Sequence, residues 1–353
     1  MNTINEKVER VLRKTPQYTR LRRHLMSILS HSTPRKLVNL LAIELQRKIH
    51  RTKVVGYPYL LIFDTGNICN LRCPLCPTGT GSVKRKKQLV KFTDFRKIFD
   101  RLCPYLFEVI LHNWGEPFLN PDIFEMIRYS RRRNVQTSLS TNLNIADFDA
   151  EAVVKSGLEY FIVSLDGVTQ DIYARYRVGG DVELVFENLR KIIAKKKELN
   201  RKTPFVEWQF IVMKHNCAQI DDALRISKEI GVDLLRFIPV GISFHAENKK
   251  ALAEEWFPYI PKEPGYRQDA FLQKPVAGGC FYLYRSVTVN PVGAVSPCCA
   301  VYNEADDFGN MLDADFADVW NNRLYQNARA LYNKGRSHKA ETICRNCGIF
   351  EIP

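Results

Sequence analysis

Tyr59-Leu60-Leu61-Ile62-Phe63-Asp64-Thr65-Gly66-Asn67-Ile68-Cys69-Asn70-Leu71-Arg72-Cys73-Pro74-Leu75-Cys76 is a short apolar run followed by a loop that gathers three cysteines. Residues 59–63 are too few for a stable helix and are bounded by turn formers, so they predict a buried strand. The loop then leaves the C-terminal end of that strand. Three sulfurs cannot close a structural zinc site, which takes four protein ligands. They can hold three irons of a cubane cluster and leave the fourth open. Spacing alone also admits a zinc ion completed by a ligand from elsewhere.

Working outward, the same pattern of short apolar runs recurs. Residues 59–63, 108–112, 136–140, 160–165, 206–212 and 234–238 predict six buried strands, and 95–102, 123–133, 148–155, 184–199 and 220–230 predict helices between them. Strand and helix alternate, which calls for a parallel sheet or barrel with right-handed crossovers. In such folds chemistry collects on the loops leaving the C-terminal strand ends.

Composition bounds the alternatives. At 353 residues, with 45% hydrophobic and 25% charged residues, the chain excludes disordered and fibrous classes. The apolar stretches are too short to span a bilayer, and no export-type segment follows Met1, so a cytoplasmic protein is expected. Ten cysteines in that setting read as metal ligands rather than a disulfide framework.

The net charge of +14 is concentrated in residues 1–53, where thirteen Lys or Arg face only Glu6, Glu9 and Glu44. In this basic arm Leu37, Leu40, Leu41, Leu45 and Ile49 share one helical face, and Leu21, Leu25, Ile28 and Leu29 suggest a second helix. Either the helices pack on the main domain, or they form a basic amphipathic surface for peripheral contact with a membrane. Nucleic acid is the weaker partner, because no nucleic-acid motif accompanies the charge.

Cys69-x3-Cys73-x2-Cys76 after the first strand resembles the radical S-adenosylmethionine (SAM) enzymes, over roughly residues 57–240. The resemblance implies a partial (β/α)6 TIM-like barrel and a [4Fe-4S] cluster on Cys69, Cys73 and Cys76. The cluster's open iron chelates SAM and cleaves it to a 5'-deoxyadenosyl radical. Leu75 departs from the aromatic residue often found before the third cysteine. Further SAM-binding candidates on the same resemblance are Gly115, Glu116 and Pro117 on the second loop, with Glu116 answering the amino group. Ser140 and Asn142 follow on the third, Ser164 and Asp166 on the fourth. Arg175 and Arg177 are candidates for the SAM carboxylate, with Gln209 and Ile238 completing the nucleotide pocket. A flavodoxin- or ferredoxin-type electron donor is implied as partner, and the basic run 84–87 is a candidate dock for it or for an anionic substrate.

A Pro-rich passage then leads to Cys280, Cys298, Cys344 and Cys347, with Gly293, Gly309 and Trp320 between them. This resembles the SPASM or twitch domain that carries an auxiliary [4Fe-4S] cluster, and one such cluster is the supportable count. A four-cysteine zinc site satisfies the same spacing. The expected domains are a helical arm (1–53), the barrel (54–245), a linker (246–279) and the auxiliary domain (280–353).

The expected activity is oxidation of a carbohydrate-like or polar substrate, free or lipid-linked, by hydrogen abstraction, the auxiliary cluster accepting an electron. Its rivals are an epimerase with Cys299 as hydrogen donor, a peptide-modifying maturase, and a zinc-stabilised protein that binds membrane or RNA.

Overall fold

The computed structural model describes residues 6–8, 10–12, 16–243, 245–258, 279–333 and 341–347, and of residues 16–22 the backbone alone. After the short helical stretches at 6–8 and 10–12 come two helices, α1 (Pro16–His31) and α2 (Pro34–Lys48). Strands and helices then alternate as β1 (Leu60–Phe63), α3 (Phe92–Leu102), β2 (Glu108–Ile110), α4 (Ile123–Arg132), β3 (Gln136–Thr141), α5 (Ala150–Lys155) and β4 (Tyr160–Ser164). They continue as α6 (Gln170–Tyr176), α7 (Val182–Glu198), β5 (Phe205–Val212), α8 (Ile220–Ile230), β6 (Leu234–Pro239) and α9 (Lys249–Trp256). The C-terminal part adds α10 (Tyr282–Arg285), β7 (Ser286–Val289), β8 (Val295–Ser296), α11 (Phe316–Trp320) and α12 (Arg323–Ala330).

All six expected strands are present and pair in parallel in the order β6-β5-β4-β3-β2-β1. β1 and β6 are not neighbours, so the barrel is partial. Side chains alternate across each strand, and the two faces differ in chemistry. Val109, Leu139, Phe161, Val163, Val206, Trp208 and Phe210 face the helices and form the main core. The opposite parity places Glu108, Gln136, Ser138, Ser140, Ser164, Glu207, Gln209 and Arg236 on the inner face. That polar wall is braced internally, with Arg236 Nε on Glu207 Oε1 at 2.5 Å and Arg236 Nη2 on Gln209 Oε1 at 2.6 Å.

The arm closes the floor of the barrel, at the N-terminal strand ends. On α1, Ser27 Oγ donates to Phe107 O at 3.1 Å, Arg23 pairs with Glu108 at 3.3 Å, and His31 meets Asn134 and Glu159. On α2, Lys36 Nζ donates to His31 O and Asn134 O, and the Asn39 amide exchanges two hydrogen bonds with the backbone of Tyr57. Both helices therefore lie on the main domain, but with their polar sides inward. Leu37, Leu41, Leu45 and Ile49 point to solvent. The periodicity located the apolar stripe, and the inward face is the other one because the floor offers backbone carbonyls and carboxylates.

The C-terminal part shares the barrel's sheet. β7 pairs in parallel with β1, from Leu60↔Ser286 to Phe63↔Val289, and β8 turns back antiparallel. The segment before β1 is clasped on its other side: Trp320 Nε1 donates to Gly56 O at 3.0 Å, Asn321 bonds Val54 in both directions, and Arg329 Nη1 donates to Thr52 O. Burial pushes the Arg329 guanidinium down to about 10. The Trp320 and Tyr325 rings lie 4.5 and 5.0 Å from it.

Five helices fall outside the sequence expectation: α10, α11 and α12 in the C-terminal part, and two more before it. α6 is a seven-residue helix, and α9 lies inside the stretch read as linker. Of the Pro-rich passage, Pro261, Pro264 and Pro275 lie outside the described residues.

Candidate active site

The loop after β1 curls into a tight turn, with Cys76 N–H donating to Cys73 O at 3.1 Å. Gly79 packs so closely that a Cβ would collide with the Cys73 backbone. Donors converge on the sulfurs. Cys69 Sγ receives Leu71 N–H at 3.4 Å and the Asn142 amide at 3.6 Å, and Cys73 Sγ receives Arg177 Nη1 at 3.8 Å. N–H groups aimed at sulfur favour the thiolate that a metal requires. Burial pulls the other way and pushes the Cys69 thiol up to about 11.

A small separate core covers this loop. Leu71, Cys73, Tyr176, Met213, Val240, Ile242, Trp256 and Phe257 are buried together, with Cys69, Leu75 and Cys76 packed against them. Trp256, on the unforeseen α9, stands edge-on to Tyr176 at 5.6 Å. The apolar Leu75 packs against this small core and is partly buried.

The loop after β2 crosses directly over the cysteine loop. Glu116 N–H donates to Ile68 O at 2.9 Å, and a Cβ on Gly115 would overlap the Gly66 carbonyl oxygen, so only glycine permits the crossing. Pro117 opens a short 3-10 turn. The Glu116 carboxylate is buried and accepts from Thr141 Oγ1 (2.7 Å), Asn142 N–H (2.8 Å) and Phe118 N–H (3.2 Å). Burial raises its pKa against these donors. The carboxylate therefore braces β2's loop to β3's. Behind the turn, Asp64 lies fully buried against the backbone N–H groups of Trp114, Gly66 and Gly115, and burial lifts it to about 7.

The remaining candidates divide. Asn142 bonds Asn70 Oδ1 at 2.9 Å besides Cys69, so it secures the cysteine loop. Ser140 Oγ and Ser164 Oγ lie 3.2 Å apart on the inner wall, and Ser140 N–H donates to His112 Nδ1 at 3.0 Å. That bond places the imidazole proton on Nε2, and burial pushes His112 down to about 3. Asp166 is fully buried and accepts from Ile211 N–H at 2.6 Å and from Arg177 Nε at 2.7 Å. Burial disfavours the Arg177 charge, but Asp166 and Cys73 beside it hold the guanidinium protonated. Arg175 stands exposed on α6, outside these contacts. Gln209 and Ile238 sit on the inner wall of β5 and β6, and Gln209 is engaged by Arg236. Sequence reasoning missed His112, Asn70 and Asp64, while Thr141 stood beside Ser140 and Asn142 among the polar groups expected after the third strand. His112 and Asp64 had a signal, since each sits at a C-terminal strand end.

In the auxiliary part Cys280, Cys298, Cys344 and Cys347 lie within electrostatic reach of one another, and burial raises Cys280 and Cys298 far above the usual thiol range. Among the described residues no three His, Cys, Asp or Glu side chains converge tightly enough for one ion. The donor sets, three thiols at the barrel mouth and four in the auxiliary part, are of the chemistry that holds iron-sulfur clusters. Cys103 is buried with its thiol on Asp100 O, and Cys217 is half-buried on Lys214 O.

Among the connections that hold the auxiliary part to the barrel mouth, two run through Arg85 and Asn113. Arg85 is buried, donates to Tyr302 O and Asn303 O at 3.0 Å each, and forks onto both oxygens of Asp307, Nη2 to Oδ1 at 2.6 Å. The run 84–87 is therefore a structural clasp at Arg85 rather than a uniformly free basic dock. The Asn113 amide accepts from Trp114 Nε1 at 3.0 Å and donates to the backbone carbonyl of Cys299 at 3.3 Å. Between the parts opens a cleft of about 560 Å³, lined by Pro74, Leu75 and Lys84 from the cysteine loop, His245 and Glu247 after β6, and Tyr302 and Asn303.

Comparison with known proteins agrees with this geometry. Residues 64–203 match the radical SAM superfamily, and residues 280–348 match SPASM, an iron-sulfur cluster-binding domain. The PqqA peptide cyclase of Gluconobacter oxydans is 25% identical over 285 residues, covering 75% of this chain and 76% of that protein. The AdoMet-dependent heme synthase of Methanosarcina barkeri is 23% identical, covering 82% and 91%. The solved structure of Streptococcus suis SuiB bound to S-adenosylmethionine superposes with a TM-score of 0.59 at 15% identity, covering 88% of this chain and 76% of that one, and shares the fold. With the three-cysteine loop, the partial barrel and the four-cysteine C-terminal part now on one frame, the chain carries a radical SAM domain and an iron-sulfur SPASM domain, with two [4Fe-4S] clusters and SAM as cofactors.

Proposed function

We propose that this enzyme oxidises a polar substrate presented at the cleft between the barrel mouth and the auxiliary part, and that the substrate is a peptide. With its cluster reduced and SAM bound, the site supplies a 5'-deoxyadenosyl radical that removes a hydrogen atom from the substrate. The chain's own residues do the rest. Cys69, Cys73 and Cys76 would hold that cluster, and Asn142 and Arg177 orient the sulfurs. The lid of Tyr176 and Trp256 excludes water.

The observation that carries net oxidation is the pair of connections through Arg85 and Asn113. They tie Cys299, Tyr302, Asn303 and Asp307, just beyond Cys298 in the chain, to the mouth, which supports an electron path from a substrate radical to the auxiliary cluster. Four cysteine ligands leave that cluster no position for substrate, which suits an electron acceptor.

The peptide reading rests on the name of the PqqA peptide cyclase and on a cleft that is open to solvent and lined by both charge signs. The carbohydrate-like substrate expected from the sequence is the second reading. The inner wall of Ser140, Ser164 and His112 favours it, because hydroxyls and a neutral imidazole suit polyol hydrogen bonding. Redox-neutral epimerisation through Cys299 competes with both.

Anaerobic reconstitution with dithionite and SAM should yield 5'-deoxyadenosine and about eight irons per chain. Replacing Cys69, Cys73 and Cys76 by Ala should leave about four irons and no cleavage. Zinc without sulfide, or no 5'-deoxyadenosine from fully loaded protein, would end this reading. Turnover in deuterated water separates the chemistries, since epimerisation writes deuterium into the product carbon and oxidation does not.

A further inference from the structure

The arm presents a surface that catalysis leaves unused. Among the described residues twelve large apolar side chains stand exposed, and nine of them lie between Leu25 and Val55. Val38, Leu41 and Leu45 share one face of α2 at 69, 71 and 62% exposure, and Leu29 on α1 reaches 74%. Single exposed apolar residues are ordinary, but such a concentration marks an interaction surface. Nor is it left over from loose docking. The polar sides of both helices are committed to the floor through Ser27, His31, Lys36 and Asn39, the reverse of an ordinary surface helix.

Charge selects the occupant. Thirteen Lys or Arg lie within residues 1–53. Glu44 is the sole acidic residue between 16 and 57, and it is held by Arg285, Arg47 and Tyr59. Arg35, Lys48, Arg51 and Lys53 are exposed around the stripe. A second copy of the chain would bring like charges face to face. A bilayer with anionic headgroups supplies both opposite charge and apolar depth. No helix among the described residues is long and apolar enough to cross a membrane, so contact would lie in the interface plane.

We infer that α1 and α2 form a docking surface that seats the barrel floor on an anionic lipid bilayer. Leu29, Val38, Leu41 and Leu45 enter the headgroup boundary, and the surrounding cations meet lipid phosphates. The floor is the barrel end opposite the cysteine loop, so the docked enzyme opens its mouth away from the lipid. The surface is an anchor and not an entrance for a lipid-linked substrate.

The test uses the full, cluster-loaded chain and vesicles of phosphatidylcholine alone or with about 30% phosphatidylglycerol. Sedimentation with the anionic vesicles is expected, with little on the neutral ones and marked weakening at about 0.5 M salt. Leu41→Glu with Leu45→Glu should lower vesicle binding at least about tenfold while 5'-deoxyadenosine formation is unchanged, since both side chains already face solvent. Lys48→Ser with Arg51→Ser and Lys53→Ser should erase the preference for anionic lipid. Wild-type protein that stays in the supernatant, or a Leu41→Glu and Leu45→Glu variant that binds as well as wild type, overturns the inference. So does a dimer that this variant dissociates in the absence of any vesicle binding, which would give the face to a second copy.

Discussion

Arg177 holds two partners at once, the fully buried Asp166 and the sulfur of Cys73, and its loss should therefore be felt in both stability and chemistry. In Arg177→Ala the Asp166 carboxylate is stranded without a counter-ion, which costs about 3–5 kcal/mol. The urea midpoint of the reduced, metal-free chain should fall accordingly, and SAM cleavage in the loaded enzyme should drop. Arg177→Lys keeps the charge but not the fork, and should recover only part of the stability. The sequence flagged this arginine, though for a ligand carboxylate. It could not rank Arg177 above Arg175, because a spacing of two separates them by roughly 200° only once α6 is known to be a helix. Glu116 shows the same limit. Its carboxylate accepts from Thr141 and Asn142, which arrive from another strand, and no local spacing encodes that meeting.

Strands were the most legible elements, because a parallel sheet covered by helices needs continuous apolar runs on its outer face, as in 160–165 and 206–212. Their inner polarity was legible only in part, since Ser140, Ser164 and Gln209 stand out as SAM-binding candidates whereas Glu108, Gln136, Glu207 and Arg236 on the same face do not. What escaped were short elements stabilised from outside. α6 spans two turns, and α9 draws its stability from Trp256 against Tyr176 and His215 rather than from any periodic stripe. The orientation of α2 escaped as well, since its burial depends on what the floor offers. The crossing of the loops after β1 and β2 gives a prediction at this scale. Gly115→Ala would force the Gly66 carbonyl away, so the cysteine loop and the Glu116 brace would separate. Cluster incorporation and 5'-deoxyadenosine formation should fall on the order of a hundredfold, while circular dichroism stays unchanged. Gly81→Ala, in the same region with no atom near its Cβ but φ +71°, should cost only about 1 kcal/mol.

At the scale of the molecule, Arg85 ties the barrel mouth to the auxiliary part, and under the oxidation proposed above it would latch radical generation to electron removal. In Arg85→Ala the carbonyls of Tyr302 and Asn303 lose their donor, and Asp307 keeps only Ser296 Oγ at 2.9 Å. SAM cleavage should continue while substrate oxidation falls on the order of 10–100-fold, read as a rise in 5'-deoxyadenosine per product formed. The two-part plan was legible from the cysteine spacing, but its continuity was not, because nothing in residues 286–289 announces a pairing with residues more than two hundred positions earlier. That pairing has a further consequence. β1 is an interior strand only because β7 lies along it, and Tyr59 N–H and Asp64 N–H extend the same ladder to Arg285 O and Val289 O. The two halves are thus not interchangeable cassettes. A chimera joined between 259 and 278 would have to reproduce this seam, or else bare a row of unmet amides and carbonyls along Leu60–Phe63, a ready template for self-assembly into aggregates.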